Sequence, residues 1–284
     1  MYKYIRFPDF KLKAFTLSYD DGVRQDKRLI SIMEKYGLKG TFNINSGLFS
    51  KQYDGIEKGR MTEQETIDLY ASPNAEVAIH GYQHLSLGEV ASNLAINEIL
   101  TDRQALEKIF HRMLNGMAYA NGSCNAEVLD ILKKSGIKWA RLAGQSEKFD
   151  LPENWLEWQG TCHHNNPRLM ELAKAFAETS EHRYYWGRQL QLFYVWGHSY
   201  EFDDRDNWQV IEELAQYIAN REDIWYATNG EIFEYLQACK QLEFSADGSM
   251  VKNSTAIDIY IDYLYKQCIV PAGKTIRIDD RESV

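Results

Sequence analysis

A parallel α/β barrel is the architecture this sequence predicts, and three observations carry the prediction. Short β-like apolar runs alternate with longer helical ones seven or eight times, the pattern of parallel strands joined by crossover helices. No glycine-rich dinucleotide fingerprint follows the first strand, because Asp20-Asp21-Gly22-Val23-Arg24 holds a single glycine. That favours a (β/α)7-8 barrel over an open, doubly wound sheet. The 284 residues also suit one barrel with a small addition.

Ala14–Tyr19 alternates as a first strand and is followed by a helix from Gln25 to Tyr36, apolar at Leu29, Ile30, Ile32 and Met33. Gly37 stands where a helix C-terminus favours glycine. Gly40–Asn45 is the second strand, and Thr62 with Glu65 is a capping-box start for a helix to Tyr70. Glu76–His80 is the third strand. A long helix over 88–112, a short strand at Gly116–Ala120 and a helix from Asn125 to Ser135 come next. Gly136 ends that helix, and Ile137–Arg141 is a further strand. Segment 142–165 is less regular, with a short strand at Trp155–Gln159. The remaining elements are a helix at Pro167–Thr179, a strand at Gln191–Trp196, a helix at Asn207–Asn220, a strand at Ile224–Thr228 and a helix at Glu231–Lys240.

Beyond residue 243 the pattern changes to strand-like alternation at Met250–Asn253, Ala256–Tyr263 and Lys274–Asp279, broken by Asp247-Gly248 and Pro271-Ala272-Gly273. The expected organisation is therefore a barrel over 1–242 with a small β appendage over 243–284 packed upon it.

Composition removes several function classes. Thirty-two Lys and Arg against 41 Asp and Glu give a net charge of −9, which argues against nucleic acid or an anionic membrane surface as partner. Seven Trp, 18 Tyr and 12 Phe are too many for a disordered chain. Cys124, Cys162, Cys239 and Cys268 form no CxxC pair, so they read as free thiols of a reducing compartment. No run approaches the ~20 apolar residues of a membrane span. The N-terminal residues lack the apolar stretch of a signal peptide, and the expected location is cytoplasmic. Self-association into a homo-oligomer is left open.

Catalytic groups in (β/α) barrels stand at the C-terminal ends of strands. Those ends supply Asp20 and Asp21, His80 with His84 just beyond, and His198. Two imidazoles spaced i, i+4 share one face of a helical turn and can chelate one ion. The adjacent carboxylates point opposite ways along a strand, so one can hold a cation while the other acts as a base. A histidine at position 198 suits a general acid, because an unperturbed imidazole titrates close to neutral pH. Each has a structural alternative: a cap or turn for the Asp pair, and packing or hydrogen bonding for the histidines. Tyr82, Trp196 and Tyr200 are candidates for stacking on a sugar ring, with plain packing the simpler reading of each. His163-His164 reads as a solvated loop, with the rim of a pocket as the alternative.

Together these residues resemble the polysaccharide deacetylase (NodB-homology) family of carbohydrate esterases over about 14–240. Phe15–Gly22 resembles its first motif, T-F-D-D-G, and His80-Gly81-Tyr82-Gln83-His84 its second, H-[ST]-x-x-H, with Gly81 in place of the small hydroxyl residue. Thr41–Asn45 is similar to the family's T-F-F-x, and Val195-Trp196-Gly197-His198 to its last motif. The third motif, R-P-P-Y-G, departs most: Ala118 stands at the Arg and Ala120 at the proline of Ala118-Tyr119-Ala120-Asn121-Gly122. The fourth, D-x-x-D-W, has no counterpart.

The resemblance implies a distorted barrel with Asp20 as base and His198 as acid. It implies one divalent metal on Asp21, His80 and His84, zinc foremost, with cobalt or nickel also in view. The backbone N–H of Asn121 is the implied oxyanion donor. Arg141, at the next strand end, is the candidate to replace the missing Arg, and Trp196 is a candidate for binding substrate. The expected activity is hydrolysis of N-acetyl, or O-acetyl, groups on an acetylated carbohydrate. Two alternatives stand beside it. One is deacylation or ring-opening of a non-sugar amide; the other is a non-catalytic carbohydrate-binding protein.

Overall fold

The computed structural model describes residues 3–51, 59–179, 189–263 and 266–278. Strands β1 (Lys3–Arg6), β2 (Lys13–Asp20), β3 (Gly40–Ile44), β4 (Ala75–Ile79), β5 (Gly116–Ala118), β6 (Trp139–Gln145), β7 (Trp158–Gly160), β8 (Cys162–His163), β9 (Gln191–Gly197) and β10 (Ile224–Tyr226) precede the appendage. Between them run α1 (Asp26–Tyr36), α2 (Glu63–Leu69), α3 (Ser92–Phe110), α4 (Ala126–Lys134), α5 (Leu169–Glu178), α6 (Tyr200–Asp204), α7 (Gln209–Ile218) and α8 (Asn229–Lys240). The local signals act as expected at several boundaries. Gly37 adopts a left-handed φ of 64° at the end of α1, and Thr62 and Glu65 make a reciprocal capping box on α2.

The parallel strands run in the order β7–β6–β5–β4–β3–β2–β9–β8, and β10 pairs with the first residues of β2. β7 and β8 are two ends of the segment 158–163, the first pairing with β6 and the second with β9. Ser146 N–H donates to Gly160 O at 2.9 Å and Thr161 N–H to Tyr194 O at 2.8 Å, so backbone bonding continues across the segment. The sheet thereby curls into a distorted barrel.

Alternation along the strands sorts the residues onto two faces. Phe15, Leu17, Tyr19, Phe42, Ile44, Val77 and Ile79 join helix residues such as Leu29, Met33 and Ile99 in the main apolar core. The opposite rows are polar and bonded to one another. Asn43 Nδ2 donates to Ser18 Oγ at 2.9 Å, Thr16 Oγ1 to Asn229 Oδ1 at 3.1 Å, and Asn229 Nδ2 to Tyr194 Oη at 2.5 Å. Asn229 opens α8, whose first turn therefore closes the end of the interior opposite Asp20. The row Thr16–Ser18–Asp20 brings Asp20 to the open end, and Tyr194–Trp196–His198 does the same for His198.

The appendage is larger than the sequence reading allows. Strands β11 (Glu243–Phe244), β12 (Met250–Lys252) and β15 (Thr275–Arg277) form one antiparallel sheet. β13 (Ile259–Tyr263) pairs with β14 (Lys266–Val270) and with β1, so the first strand of the chain belongs to the appendage and not to the barrel. The Arg6–Asp262 ion pair at 2.7 Å fastens that join, and Tyr235 of α8 donates its hydroxyl proton to Arg6 O at 2.5 Å. Asp279, the expected end of the last strand, lies outside the described residues. Smaller differences have local causes. Residues 137–138 remain in the turn after α4, where Ile137 N–H donates to Leu132 O at 3.0 Å, so β6 starts at Trp139 and runs to Gln145. Beyond His198 the chain forms a short helix, α6, over Tyr200–Asp204. Among the described residues no helix is long and apolar enough to cross a membrane.

Candidate active site

Asp20, Asp21, His80 and His198 stand at the C-terminal ends of β2, β4 and β9, His84 joins them from the loop after β4, and Arg141 reaches Asp20 from within β6. Asp20 is buried and accepts from Arg141 Nη2 and, at 2.9 Å, from Asn43 Nδ2. Burial alone would raise its pKa. The Arg141 cation, helped by His80 and His198, overrides burial and holds the carboxyl at about 2. Asp20 is thus ionised at neutral pH. Its Oδ2 lies 4.0 Å from His198 Nε2.

Asp21 turns away from its neighbour through a left-handed φ of 85°, a conformation most non-glycine residues avoid. Its Oδ1 lies 3.6 Å from His84 Nε2 and accepts from Arg60 Nη2 at 3.1 Å. His80 Nδ1 stands 2.9 Å from Ala118 O, and because a carbonyl only accepts, Nδ1 carries the proton. The Nε2 lone pair is left free, as a metal ligand requires. Burial also depresses the His80 pKa and keeps the ring neutral. Asp21, His80 and His84 offer ligand atoms that all lie within 4.8 Å of one another. A tetrahedral zinc with ligands at about 2.0–2.1 Å separates them by roughly 3.3 Å, so this donor set fits a divalent ion after small adjustments.

The two histidines do not share a helical turn, contrary to the spacing argument. Gly81 at φ 87° and His84 at φ 60° form an irregular loop that folds the rings together, centroids 4.8 Å apart. Glu98 braces that loop by accepting from Gln83 N–H at 2.5 Å and Leu85 N–H at 3.1 Å. A Cβ on Gly81 would come within 3.0 Å of Glu98 Oε1 in a left-handed backbone, which accounts for glycine at this position.

Trp196 is buried. Its indole N–H donates to Gly144 O at 3.0 Å, and the Arg141 guanidinium lies 4.5 Å from its ring centroid. The ring supports Arg141 from within the barrel. Asn121 sits in a turn at φ 56°, with its side chain bonded to Ser86 Oγ at 3.0 Å.

Several site residues escape sequence reasoning. Arg60 also donates to Asn45 Oδ1 at 3.1 Å and so ties Asp21 to the end of β3. Asp26, fully buried, accepts from Ser199 Oγ and Tyr70 Oη, each at 2.5 Å, and anchors the residue after His198. Burial pushes its carboxyl up to about 7. Glu201, in the first turn of α6, accepts from His198 N–H at 3.3 Å and places Oε2 3.5 Å from His198 Nδ1. Burial would lower the His198 pKa, but the Glu201 contact and the charges of Asp20 and Asp21 outweigh it and raise it. The His163-His164 pair is not a solvated loop. His164 is 1% exposed, stacked 5.6 Å from Tyr19 and 4.2 Å from Phe202, and His163 packs edge-on against Trp196 at 4.6 Å. Asn43 was legible in principle, as a polar residue in phase with Thr41 and Asn45 on an otherwise apolar strand. Glu201 and Arg60 left no motif to read.

Residues 8–140 match the polysaccharide deacetylase family model. YxkH of Bacillus subtilis (strain 168), assigned by name to the polysaccharide deacetylases, is 23% identical over 128 residues, 44% of this chain. That stretch is 43% of the relative's own length. A Mycobacterium smegmatis structure, also assigned by name to polysaccharide deacetylase, superposes with a TM-score of 0.58 at 17% identity over 84% of this chain and 94% of the other. A CE4 family pseudoenzyme from Bacillus anthracis gives a TM-score of 0.50 at 13% identity, over 81% of this chain and 68% of the other. At these identities the structural likenesses establish the fold alone.

Proposed function

Taking the chain as a member of the polysaccharide deacetylase family, we propose that it hydrolyses N-acetyl groups on a carbohydrate, with a divalent metal on Asp21, His80 and His84. The carrying observation is the apposition of an ionised carboxylate, Asp20, and an imidazole of raised pKa, His198, across 4.0 Å beside that donor set. A divalent ion there supplies Lewis acidity for the acetyl oxygen and lowers the pKa of the attacking water. Asp20, fixed by Arg141 and Asn43, takes the proton from that water. His198 Nε2–H delivers a proton to the leaving amine, which is otherwise a poor leaving group. The N–H of Asn121 serves as oxyanion donor. Arg141 fills the role of the missing motif-three Arg from a different strand.

The test is acetate release from N-acetylglucosamine oligomers by the full chain before and after chelation, with ring-opening of small cyclic amides assayed in parallel. Chelation is expected to abolish acetate release, and added zinc to restore it. Metal-independent turnover, or cyclic-amide opening without acetate release, overturns the reading.

A pH profile follows from His198. Its protonated form is the active one, so the rate falls as pH rises through its raised pKa. Glu201→Gln removes a carboxylate that raises this pKa, and the alkaline limb is expected to move to lower pH while the acid limb stays. An unmoved alkaline limb in rate–pH profiles would mean that Glu201 does not tune His198.

A further inference from the structure

We propose that His163, His198 and Glu201 form a second divalent-cation site beside the first, and that an ion held there silences His198 as a proton donor. The silencing rests on the reading of His198 as acid; the site itself does not. Ligand atoms of the three residues lie within 4.8 Å of one another. Glu201 Oε2 is 3.1 Å from His163 Nε2 and 3.5 Å from His198 Nδ1, and His164 Nε2 lies 3.1 Å from the same oxygen. The His163–Glu201 and His198–Glu201 separations lie either side of the edge of roughly 3.3 Å expected around a tetrahedral zinc with ligands at about 2.0–2.1 Å.

Direction matters as much as distance. A hydrogen bond needs a ring N–H pointed at the oxygen, whereas ligands of one ion sit side by side with lone pairs converging between them. His198 Nδ1 and both nitrogens of His164 are buried without an aligned hydrogen-bond partner, although Glu201 is so near. Such orphaned buried nitrogens call for a partner. The fold assembles this set deliberately. β8 pairs with β9 so that His163 lies opposite Trp196, two residues before His198. Gly197 clears the space for His164, since a Cβ there would stand 2.1 Å from His164 Nδ1.

Asn165 N–H donates to His163 Nδ1 at 3.1 Å, which places the His163 proton on Nε2. Capture of an ion moves that proton to Nδ1 and gives up one loop hydrogen bond. On His198 the ion occupies Nδ1 while Nε2 keeps its proton. An imidazole metallated on one nitrogen and protonated on the other loses its proton only far above neutral pH, so it no longer acts as an acid.

The test is equilibrium dialysis of the full chain against rising zinc, with metal content by mass spectrometry and acetate release in parallel. One ion per chain is expected first, then a second. As the second binds, acetate release should fall by about 10², within the range for losing a general acid. His163→Ala and His163→Asn are both expected to stop at one ion and to lose this inhibition. The pair guards against one variant failing to fold. Saturation of the unmodified chain at one ion, or two ions in a folded His163 variant, overturns the site. Two ions with undiminished acetate release overturn the silencing.

Discussion

Asp20→Asn is expected to lower acetate release by about 10²–10⁴, the span ascribed to a positioned general base. The substitution keeps the shape of the side chain and an acceptor for Asn43 Nδ2, now 2.9 Å from Oδ1. What it removes is the charge. An amide cannot take a proton from water, and Arg141, buried under Trp196, loses its counter-ion. Metal content should be unchanged, because Asp21, His80 and His84 are untouched. The measurement is kcat on an N-acetylated oligosaccharide together with zinc per chain. Loss of rate with zinc retained assigns the base; undiminished, metal-dependent acetate release removes Asp20 from that role. Loss of both rate and zinc would mean that Asp20 belongs to the donor set instead.

Much of this candidate site was legible because its residues extend strand rows whose alternation is plain in the sequence. Thr16, Ser18 and Asp20 fall on one face of β2, and the strand-end rule picks out the Asp20–Asp21 pair, while only the family resemblance separates base from ligand within it. His80 and His198 follow in the same way. Residues acting from outside a strand row were not legible. Glu201 reaches His198 from the first turn of a five-residue helix, an element too short to show a period. Arg60 reaches Asp21 from a loop that no spacing rule connects to β2. The i, i+4 argument paired His80 with His84, whose rings the structure does bring together, but through a different geometry, because left-handed residues at Gly81 and His84 are set by tertiary contacts with Glu98. The appendage was harder for a related reason. β1 pairs with β13 across more than 250 residues, and four residues of alternation cannot announce so distant a partner.

The largest stability effect is expected from Arg141→Ala. Both members of the Arg141–Asp20 pair are nearly inaccessible, at 1% and 4% side-chain exposure, so removing the cation leaves a carboxylate stranded in the barrel. Breaking one side of a buried pair costs about 3–5 kcal/mol. The pH dependence identifies the cause. With Arg141 present, the folded Asp20 pKa is held at about 2, below its unfolded value, so its contribution is intact above the unfolded pKa and is lost only as pH falls through 2. Without Arg141, burial dominates and the folded pKa rises above the unfolded one. The sign then reverses: the variant is destabilised as pH rises through that higher pKa and is relieved in acid. Urea unfolding of both chains at pH 7 and pH 4 should therefore show a smaller stability gap at pH 4. Arg141→Lys, which restores charge without the planar fork, should recover part of the gap at pH 7. Activity carries the same signature, because the base must be ionised: the acid limb of the rate profile should move to higher pH in Arg141→Ala. A stability gap independent of pH would assign Arg141 to packing against Trp196, and the base would then need another explanation for its ionisation inside the barrel.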